Sequence, residues 1–376
     1  MSGPLHVYYG PEIQLYYFGQ GHPFNQRRVG LAVELMQACG LFEANGSTLR
    51  PIRMASVADA QLFHSRRYLE RIERASRDGE GYLDQGDTPA FVGCLEAALW
   101  GVGSTLGALD AVMTEQCHAF SPGGGHHHAH PEAASGFCIL NDCAVALAAA
   151  RDRYGLTRAL YVDIDVHHGD GVLYGFYANE YLLDIDLHQY GGMFYPGTGR
   201  ADEIGEDAGA GLKLNVPLQA GAADDSALLA WTEIAEPAIR AFRPELIVMQ
   251  CGADAHTDDP LAMLEWSNGA YFEIARSIHA LAHEVCDGRL LLLGGGGYNP
   301  ANVCVAWAAI GLTVGEVEPP DELPETWRRR FEETYGQPAP RTLREPKTSN
   351  ARILADTQRQ VETLRRLSPL LGGGST

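Results

Sequence analysis

The chain has 376 residues, of which 45% are hydrophobic and 20% charged, and its formal net charge is −20. This composition is typical of a folded globular protein and excludes collagenous, coiled-coil and disordered chains. Because 48 acidic residues stand against 28 basic ones and the basic residues form no stripe, we expect no direct binding to nucleic acid.

The eight cysteines contain no CxxC pair and lack the spacing of a small disulfide-bonded domain. We therefore expect buried free thiols in a reducing compartment. The residues after Met1 do not have the pattern of a secretory signal. The most apolar segment, residues 90–113, is interrupted by Glu96 and Asp110, so we expect it to form an internal helix. The sequence thus predicts a cytoplasmic protein that has no contact with a membrane.

Short aliphatic runs alternate with helical patterns along most of the chain, which is typical of a largely parallel sheet covered by helices. Several runs are apolar without interruption, as in strands buried on both faces. The predicted strands are residues 6–9, 159–165, 182–187, 212–216, 246–250 and 290–293. The other predicted helices of this part are residues 57–77, 142–153, 226–240, 268–286 and 302–312.

A proline-rich stretch, residues 318–324, predicts the end of the main domain, which we place at residues 1–320. Residues 321–376 are predicted to form a helical extension packed on that domain. Its helices are expected over residues 325–335 and 351–367, with a frayed tail over residues 372–376. The sequence therefore predicts one α/β domain with a C-terminal extension.

The loop after the strand at residues 159–165 concentrates acidic and imidazole side chains. Asp163, Asp165 and His167 are spaced at i, i+2 and i+4, so they share one side of an extended chain. Ligands bind at this end of open α/β sheets, and buried carboxylates are costly without a cation or hydrogen-bond donors. One imidazole and two carboxylates suit Zn²⁺ or Fe²⁺ in a catalytic site. The alternative is that the aspartates cap the following helix.

A run of three histidines, His126 to His128, follows three glycines. If the glycines bury this run, its imidazoles titrate near neutral pH and suit proton transfer. Each ring would then need an acidic partner, and Asp163 and Asp170 are the candidates. The alternative is a solvated surface loop.

Four glycines, residues 294–297, precede Tyr298. Glycine lets the backbone approach a ligand closely, which would aim the Tyr298 hydroxyl into a cleft; the alternative is a plain loop tyrosine. The spacing of these glycines fits no phosphate-binding motif. His279 and His283 are spaced as HxxxH but lack the Glu of the HExxH motif, so we expect them on a helix surface.

Six motifs, in order, resemble those of the histone deacetylase superfamily, which includes acetoin-utilisation proteins and acetylpolyamine amidohydrolases. They are residues 125–128, 135–138, 163–171, 194–199, 252–254 and 295–299. The resemblance runs from residue 6 to residue 312. Residues 8–10, His22, Pro23, Arg28 and residues 323–327 are most similar to the bacterial acetoin-utilisation branch. It implies the arginase/deacetylase fold, a single α/β domain around a mostly parallel sheet of about eight strands.

The resemblance implies a metal-dependent deacetylase that hydrolyses the amide of acetyl-lysine in proteins or peptides. Zn²⁺, with Fe²⁺ as the other candidate, is the implied cofactor, and the implied metal ligands are Asp165, His167 and Asp254. The implied catalytic residues are the tandem His127 and His128, Asp163 and Asp170 behind them, and Tyr298, which binds the scissile carbonyl.

The resemblance also implies a tunnel for the acetyl-lysine side chain. Phe137 and Tyr195 match its walls, Asp87 and Gly136 its mouth, and Leu261 its outer edge. His126 departs from the family pattern, since many members have Trp, Leu or Gly there.

A monovalent cation, K⁺ or Na⁺, is implied as well. The backbone carbonyls that match its site belong to Asp163, Asp165, His167 and Leu187. Asp186 stands where many members have a Ser that helps to hold this cation.

Two alternatives to the acetyl-lysine deacetylase stay open. An acetylpolyamine amidohydrolase fits the acidic surface, although Leu261 stands where that branch is expected to carry an acidic residue. A catalytically silent module that binds acyl-lysine is disfavoured by the intact candidate residues. The sequence leaves the physiological substrate, the acyl-chain preference and the oligomeric state open.

Overall fold

Eight parallel strands form one sheet, as the sequence predicts, in a computed structural model that describes residues 3–372. In chain order they are β1 (Leu5–Tyr8), β2 (Thr48–Arg50), β3 (His118–Ser121), β4 (Ala159–Asp163), β5 (Leu182–Gln189), β6 (Lys213–Leu218), β7 (Leu246–Gln250) and β8 (Leu290–Leu293). Their order across the sheet is β2-β1-β3-β8-β7-β4-β5-β6. β8 is four consecutive leucines, all buried, because helices cover both faces of the sheet.

The main helices are α1 (Arg27–Ala38), α2 (Val57–Ala60), α3 (Arg66–Asp78), α4 (Cys94–Thr114), α5 (Asp142–Tyr154), α6 (Asp170–Gly175), α7 (Asp224–Ala230), α8 (Glu236–Phe242), α9 (Asn268–Val285), α10 (Pro300–Val314), α11 (Glu325–Tyr335) and α12 (Ala351–Leu367). A π-helical turn, Trp231–Ala235, joins α7 to α8, so the predicted helix at residues 226–240 has three parts. Of the described residues, none belongs to a helix long and apolar enough to span a membrane.

The register of the central strands places four strand ends side by side. Asp163 is paired with Gln250, Gln250 with Leu293, and Leu293 with Ser121. Because all the strands are parallel, the loops that follow these residues leave the sheet at one edge. The loops that carry the predicted functional residues are therefore brought together by the sheet itself.

Some elements differ from the sequence prediction. The helix predicted at residues 57–77 is α2 followed by α3, because the Ser65 side chain accepts a hydrogen bond from the backbone N–H of Tyr68 and starts a new helix. The strands β2 and β3 and the helix α1 were not predicted. His279 and His283 lie on a helix, α9, and are partly exposed as predicted, but they also contact the buried His118.

The C-terminal segment packs on the rest of the chain. In α11, the indole N–H of Trp327 donates to the carbonyl of Leu31 at 2.9 Å, and Phe331 is fully buried. After α12, the Ser368 hydroxyl donates to the carbonyl of Gly211 at 2.9 Å. The division at residue 320 stays a prediction, and residues 373–376 of the predicted tail lie outside the described part of the chain.

Candidate active site

Two carboxylates and one imidazole meet where β4 and β7 end. Asp165 and His167 follow β4, and Asp254 follows β7. One ligand atom of each lies within 4.8 Å of the others, and all three residues are buried. Nδ1 of His167 lies 3.2 Å from Asp165 Oδ1 and 3.1 Å from Asp254 Oδ2. The structure therefore brings the predicted metal ligands together.

Backbone groups hold the two carboxylates in place. Asp165 Oδ2 accepts from the backbone N–H of Gly296 at 2.7 Å and from Nε2 of Gln250 at 2.8 Å, and Asp254 Oδ1 accepts from the N–H of Val166 at 2.9 Å. A Cβ at Gly296 would lie only 2.0 Å from Asp254 Oδ2. Glycine is thus required here because the backbone passes directly over both carboxylates.

The electrostatics of this cluster favour a bound cation. Burial, and next the charge of Asp165, raise the pKa of Asp254 to about 7. Burial lowers the pKa of His167, but its hydrogen bonds to Asp165 and Asp254 outweigh that effect and raise the pKa to about 9. Two buried carboxylates this close need a positive charge between them. The oxygen and nitrogen donors fit a divalent ion such as Zn²⁺ or Fe²⁺.

The first of the two tandem histidines lies deepest. Asp163 Oδ2 accepts from Nδ1 of His127 at 2.7 Å and from the Tyr161 hydroxyl at 2.6 Å. Burial lowers the pKa of His127, but the charges of Asp163 and Asp165 outweigh it and raise the pKa to about 10. His127 is therefore a cationic ring enclosed by carboxylates.

The second tandem histidine has a separate carboxylate. Asp170 Oδ1 accepts from Nδ1 of His128 at 2.7 Å, and His130 Nε2 lies 3.2 Å from the other oxygen of Asp170. Burial, and next the charge of His127, lower the pKa of His128 to about 4. With its Nδ1 proton held by Asp170, the neutral ring has its lone pair on Nε2, which lies 3.1 Å from Nε2 of His127.

His126 is buried and has a carboxylate partner of its own. Its Nδ1 lies 2.9 Å from Asp142 Oδ1, and its ring stacks on Tyr16 with centroids 4.9 Å apart. Asp142 Oδ1 and Oδ2 also accept from the backbone N–H groups of His126 and Gly125. Sequence reasoning missed Asp142, although an Asp at the start of a helix after the histidine motif was a usable signal. His126 lines a small pocket of ≈20 Å³ together with Asp165 and Tyr298, and His127 and His128 line the same pocket.

Aromatic rings surround the opening of the site. Phe194 stacks on His167, with centroids 5.1 Å apart and an angle of 6° between the planes. Tyr195 meets His128 edge-on at 5.0 Å, and Phe137 meets Tyr298 edge-on at 5.8 Å. Phe137 and Tyr195 are thus next to the candidate catalytic residues, and Phe194 is an additional wall residue that sequence reasoning missed.

Tyr298 is fixed by two side chains from other elements. Its backbone N–H donates to Asp259 Oδ2 at 2.7 Å. Arg28 of α1 donates to the carbonyls of Gly295, at 2.8 Å, and Gly297, and its guanidinium lies over the Tyr298 ring at 5.9 Å. Both residues were absent from the predicted site because neither lies in a motif with the tyrosine. They are close to it only in the folded chain.

The predicted mouth of the tunnel opens to a surface groove of ≈770 Å³ lined by Asp87 and Tyr195. Gly136 has a positive φ of 53°, and a Cβ there would lie 2.4 Å from Cδ2 of His128. Leu261, 38% exposed, lies outside this groove, and its backbone N–H donates to Asp259 Oδ1 at 3.0 Å.

The residues predicted to hold a monovalent cation lie on β4, its following loop and β5. Asp186 is buried, and its carboxylate accepts from the backbone N–H of Gly169 at 2.7 Å and lies 2.6 Å from Nδ1 of His188. Nε2 of His188 donates to the carbonyl of Gly199 at 2.8 Å. The Asp186 side chain is therefore already engaged by these two groups, and the cation site stays a prediction.

Comparisons with known proteins identify the family of this chain. Residues 22–314 match the model of the histone deacetylase domain. The chain belongs to the histone deacetylase family. This family member is 42% identical over 328 residues to the acetoin utilization protein AcuC of Bacillus subtilis (strain 168), covering 85% of the chain and 84% of that protein. It is 34% identical over 337 residues to AcuC of Staphylococcus xylosus, covering 86% of each.

Solved structures of histone deacetylases share the fold of this family member. A crystal structure of an HDAC homolog complexed with SAHA matches 97% of the chain and 100% of its own, with a TM-score of 0.84 and 27% identity. The HDA15 HD domain matches 98% of the chain and 96% of its own, with a TM-score of 0.82 and 25% identity. The predicted fold and family are confirmed, and the protein is a deacetylase of the AcuC-like branch.

Proposed function

We propose that this deacetylase depends on a divalent metal and hydrolyses the amide of acetyl-lysine in proteins or peptides. The observation that carries the proposal is the convergence of Asp165, His167 and Asp254 beside two histidines that different carboxylates orient. These are the groups that metal-assisted amide hydrolysis needs in one place.

Asp165, His167 and Asp254 would hold the metal, with Zn²⁺ as the first candidate and Fe²⁺ as the second. A metal in this position lowers the pKa of a nearby water and polarises the acetyl carbonyl. The carboxylate oxygens and the His167 ring are already in position, because backbone N–H groups and Gln250 fix the aspartates.

His128 is proposed as the general base and then the general acid. Asp170 holds the proton on its Nδ1, so Nε2 can take a proton from the attacking water and later deliver it to the lysine amine. His127 lies deeper, 3.9 Å from Asp165 Oδ2, and it acts through its charge. Tyr298 is proposed to donate a hydrogen bond from its hydroxyl to the oxyanion that forms from the acetyl carbonyl.

The aromatic rings favour a neutral, narrow substrate side chain. Phe137, Phe194 and Tyr195 surround the opening, and the four methylenes of lysine would each contribute about 0.8 kcal/mol when buried there. Gly136 keeps the mouth open beside His128. The carboxylate of Asp87 at the rim is proposed to accept hydrogen bonds from backbone N–H groups of a peptide substrate.

An acetylpolyamine amidohydrolase is the second candidate function, and the net charge of −20 favours it. Leu261 argues against it, because it offers no acidic partner for a second ammonium group at the outer edge. Side-by-side kcat/KM values for an acetyl-lysine peptide and for N-acetylputrescine test the choice. We expect the peptide to be preferred, and the reverse ranking would assign the protein to the polyamine branch.

The remaining features of the proposal concern ions and location. A monovalent K⁺ or Na⁺ is proposed at the carbonyls of Asp163, Asp165, His167 and Leu187, near Asp186. A cytoplasmic location is proposed because all eight cysteines are free thiols, seven of them buried, and the relatives named above are bacterial. Those relatives are named for acetoin utilization, so the acetylated partner is proposed to be a protein of that metabolism.

A further inference from the structure

Three histidines outside the candidate active site converge at the opposite edge of the sheet. His118 is the first residue of β3, and His279 and His283 lie one turn apart on α9. The loops of the candidate active site leave the carboxyl ends of the strands, whereas His118 is at the amino end of its strand. The length of β3 therefore separates this cluster, the His118 cluster, from the catalytic residues.

The three rings of the His118 cluster surround a common point. Their centroids are 4.7, 4.9 and 5.0 Å apart, and the ring planes are inclined at 87°, 68° and 83°. Nε2 of His279 lies 3.1 Å from Nε2 of His118 and 3.2 Å from Nε2 of His283. Nitrogens bound to a tetrahedral zinc ion at ~2.0–2.1 Å are about 3.3 Å from each other, so the two short separations fit two edges of such a site.

Hydrogen bonding alone does not account for these contacts. A ring nitrogen of a neutral imidazole carries either one proton or one lone pair, and it therefore makes one linear hydrogen bond. Nε2 of His279 has two close nitrogen neighbours. Burial is the largest cause of a lowered pKa in all three rings, so they are neutral at pH 7 and can offer lone pairs to a cation.

An acidic side chain and a solvent-accessible groove lie beside the His118 cluster. The Glu316 carboxylate, after α10, acts on His279 and His283 in the direction that favours a positive charge at the rings. His279 and Glu316 line one surface groove of ≈550 Å³, together with Glu273. Solvent and ions can therefore reach the cluster from this side, although His118 itself is buried.

We propose that His118, His279 and His283 bind a second divalent transition-metal ion, with Zn²⁺ as the ion of choice. A fourth ligand, water or the Glu316 carboxylate, would come from the groove that His279 and Glu316 line. The ion would join the start of β3 to α9 and would stabilise the folded chain, because the unfolded chain does not hold the three rings together.

Metal content of protein purified without a histidine tag tests this proposal. In an Asp254→Ala background, which removes the candidate catalytic ligand, we expect one Zn²⁺ per chain with micromolar or tighter affinity. Adding His279→Ala and His283→Ala should abolish this binding and the visible absorption of tetrahedral Co²⁺. The matched control is Glu284→Gln, which changes an exposed carboxylate next to His283 that pairs with Arg240, and this variant should keep the ion.

Two results would overturn the proposal. One is the absence of Zn²⁺ binding to the Asp254→Ala variant at micromolar concentrations; the other is binding that persists unchanged without His279 and His283. If the Asp254→Ala chain does not fold, the same pair of substitutions in the otherwise unaltered chain should lower the metal content by one ion, and no change would refute the site. The outcome is independent of deacetylase activity, so it is distinct from a failure of the proposed function.

Discussion

Nε2 of His127 and Nε2 of His128 lie 3.1 Å apart, although the two rings are oriented by different carboxylates on opposite sides. Asp163, at the end of β4, holds His127, while Asp170, at the start of α6, holds His128. The short loop between β4 and α6 therefore supplies both partners. Adjacent residues of the chain thereby obtain different environments, and we expect different effects from their removal.

The first prediction compares these two histidines. His128→Ala should lower kcat by about 10²–10⁴-fold and keep the metal, because proton transfer to the lysine amine loses its donor. His127→Ala should keep more activity, since it removes a charge and no proton carrier. Measured kcat and metal content for both variants check this, and a nearly active His128→Ala would refute the assigned base.

The second prediction concerns the phenol of Tyr298. Tyr298→Phe should lower kcat by about 10²–10³-fold with little change in KM, because the lost hydrogen bond forms mainly in the transition state. Tyr195→Phe is the matched control, since the Tyr195 hydroxyl is engaged by Ser135 at 2.5 Å. Equal losses in the two variants would show that Tyr298 has no special role.

The third prediction tests Asp259 as a positioning residue. Its carboxylate accepts from the backbone N–H groups of Tyr298 and Leu261. Asp259→Ala should lower kcat more than it changes KM, while Asp259→Asn should restore part of the activity because an amide oxygen can still accept. Asp258→Asn, at the exposed residue next to Asp259, is the control, and we expect wild-type kinetics for it. If Asp259→Asn restores no activity and Asp259→Ala changes kcat and KM equally, the role of Asp259 as a positioning residue would be contradicted.

The fourth prediction is a pH dependence at the mouth of the tunnel. Burial, and next the neighbouring Asp84, raise the pKa of Asp87 to about 6. The carboxylate is ionised above that pH and becomes neutral below it, so its strength as an acceptor falls as the pH drops through 6. KM for a peptide should therefore rise as the pH falls below about 6. The Asp87→Asn variant should have a high KM that does not change over this pH range. A pH-independent KM in the unaltered protein would remove Asp87 from substrate binding.

The sequence predicts best where one local pattern decides the structure. Four consecutive leucines in β8 predict a strand buried on both faces, and all four are buried in the sheet. β3 was missed because its short segment begins with His118 and ends with Ser121, so it shows no apolar run. β3 is buried because strands lie on both sides of it, and this neighbourhood cannot be seen in the local sequence.

Contacts between distant segments account for the residues that were missed in the site. Arg28 and Asp259 touch the Tyr298 loop from α1 and from the loop after β7, and nothing in their own sequence surroundings points to that loop. Phe194 belongs to the motif at residues 194–199, but only Tyr195 of that motif was matched to the tunnel wall. The HxxxH pair on α9 was assigned to a surface because it lacks the Glu of the HExxH motif, and the third histidine, His118, lies 161 residues before His279 in the chain.

Formation of acetate and of the deacetylated peptide, with its free lysine side-chain amine, from an acetyl-lysine peptide tests the central proposal most directly. The protein should be assayed after chelation, after Zn²⁺ is restored, and as Asp254→Ala with the same added metal. We predict that the restored protein releases both products in equal amounts, while the chelated protein and the Asp254→Ala variant release neither. Equal hydrolysis by all three preparations would contradict a metal held by Asp165, His167 and Asp254.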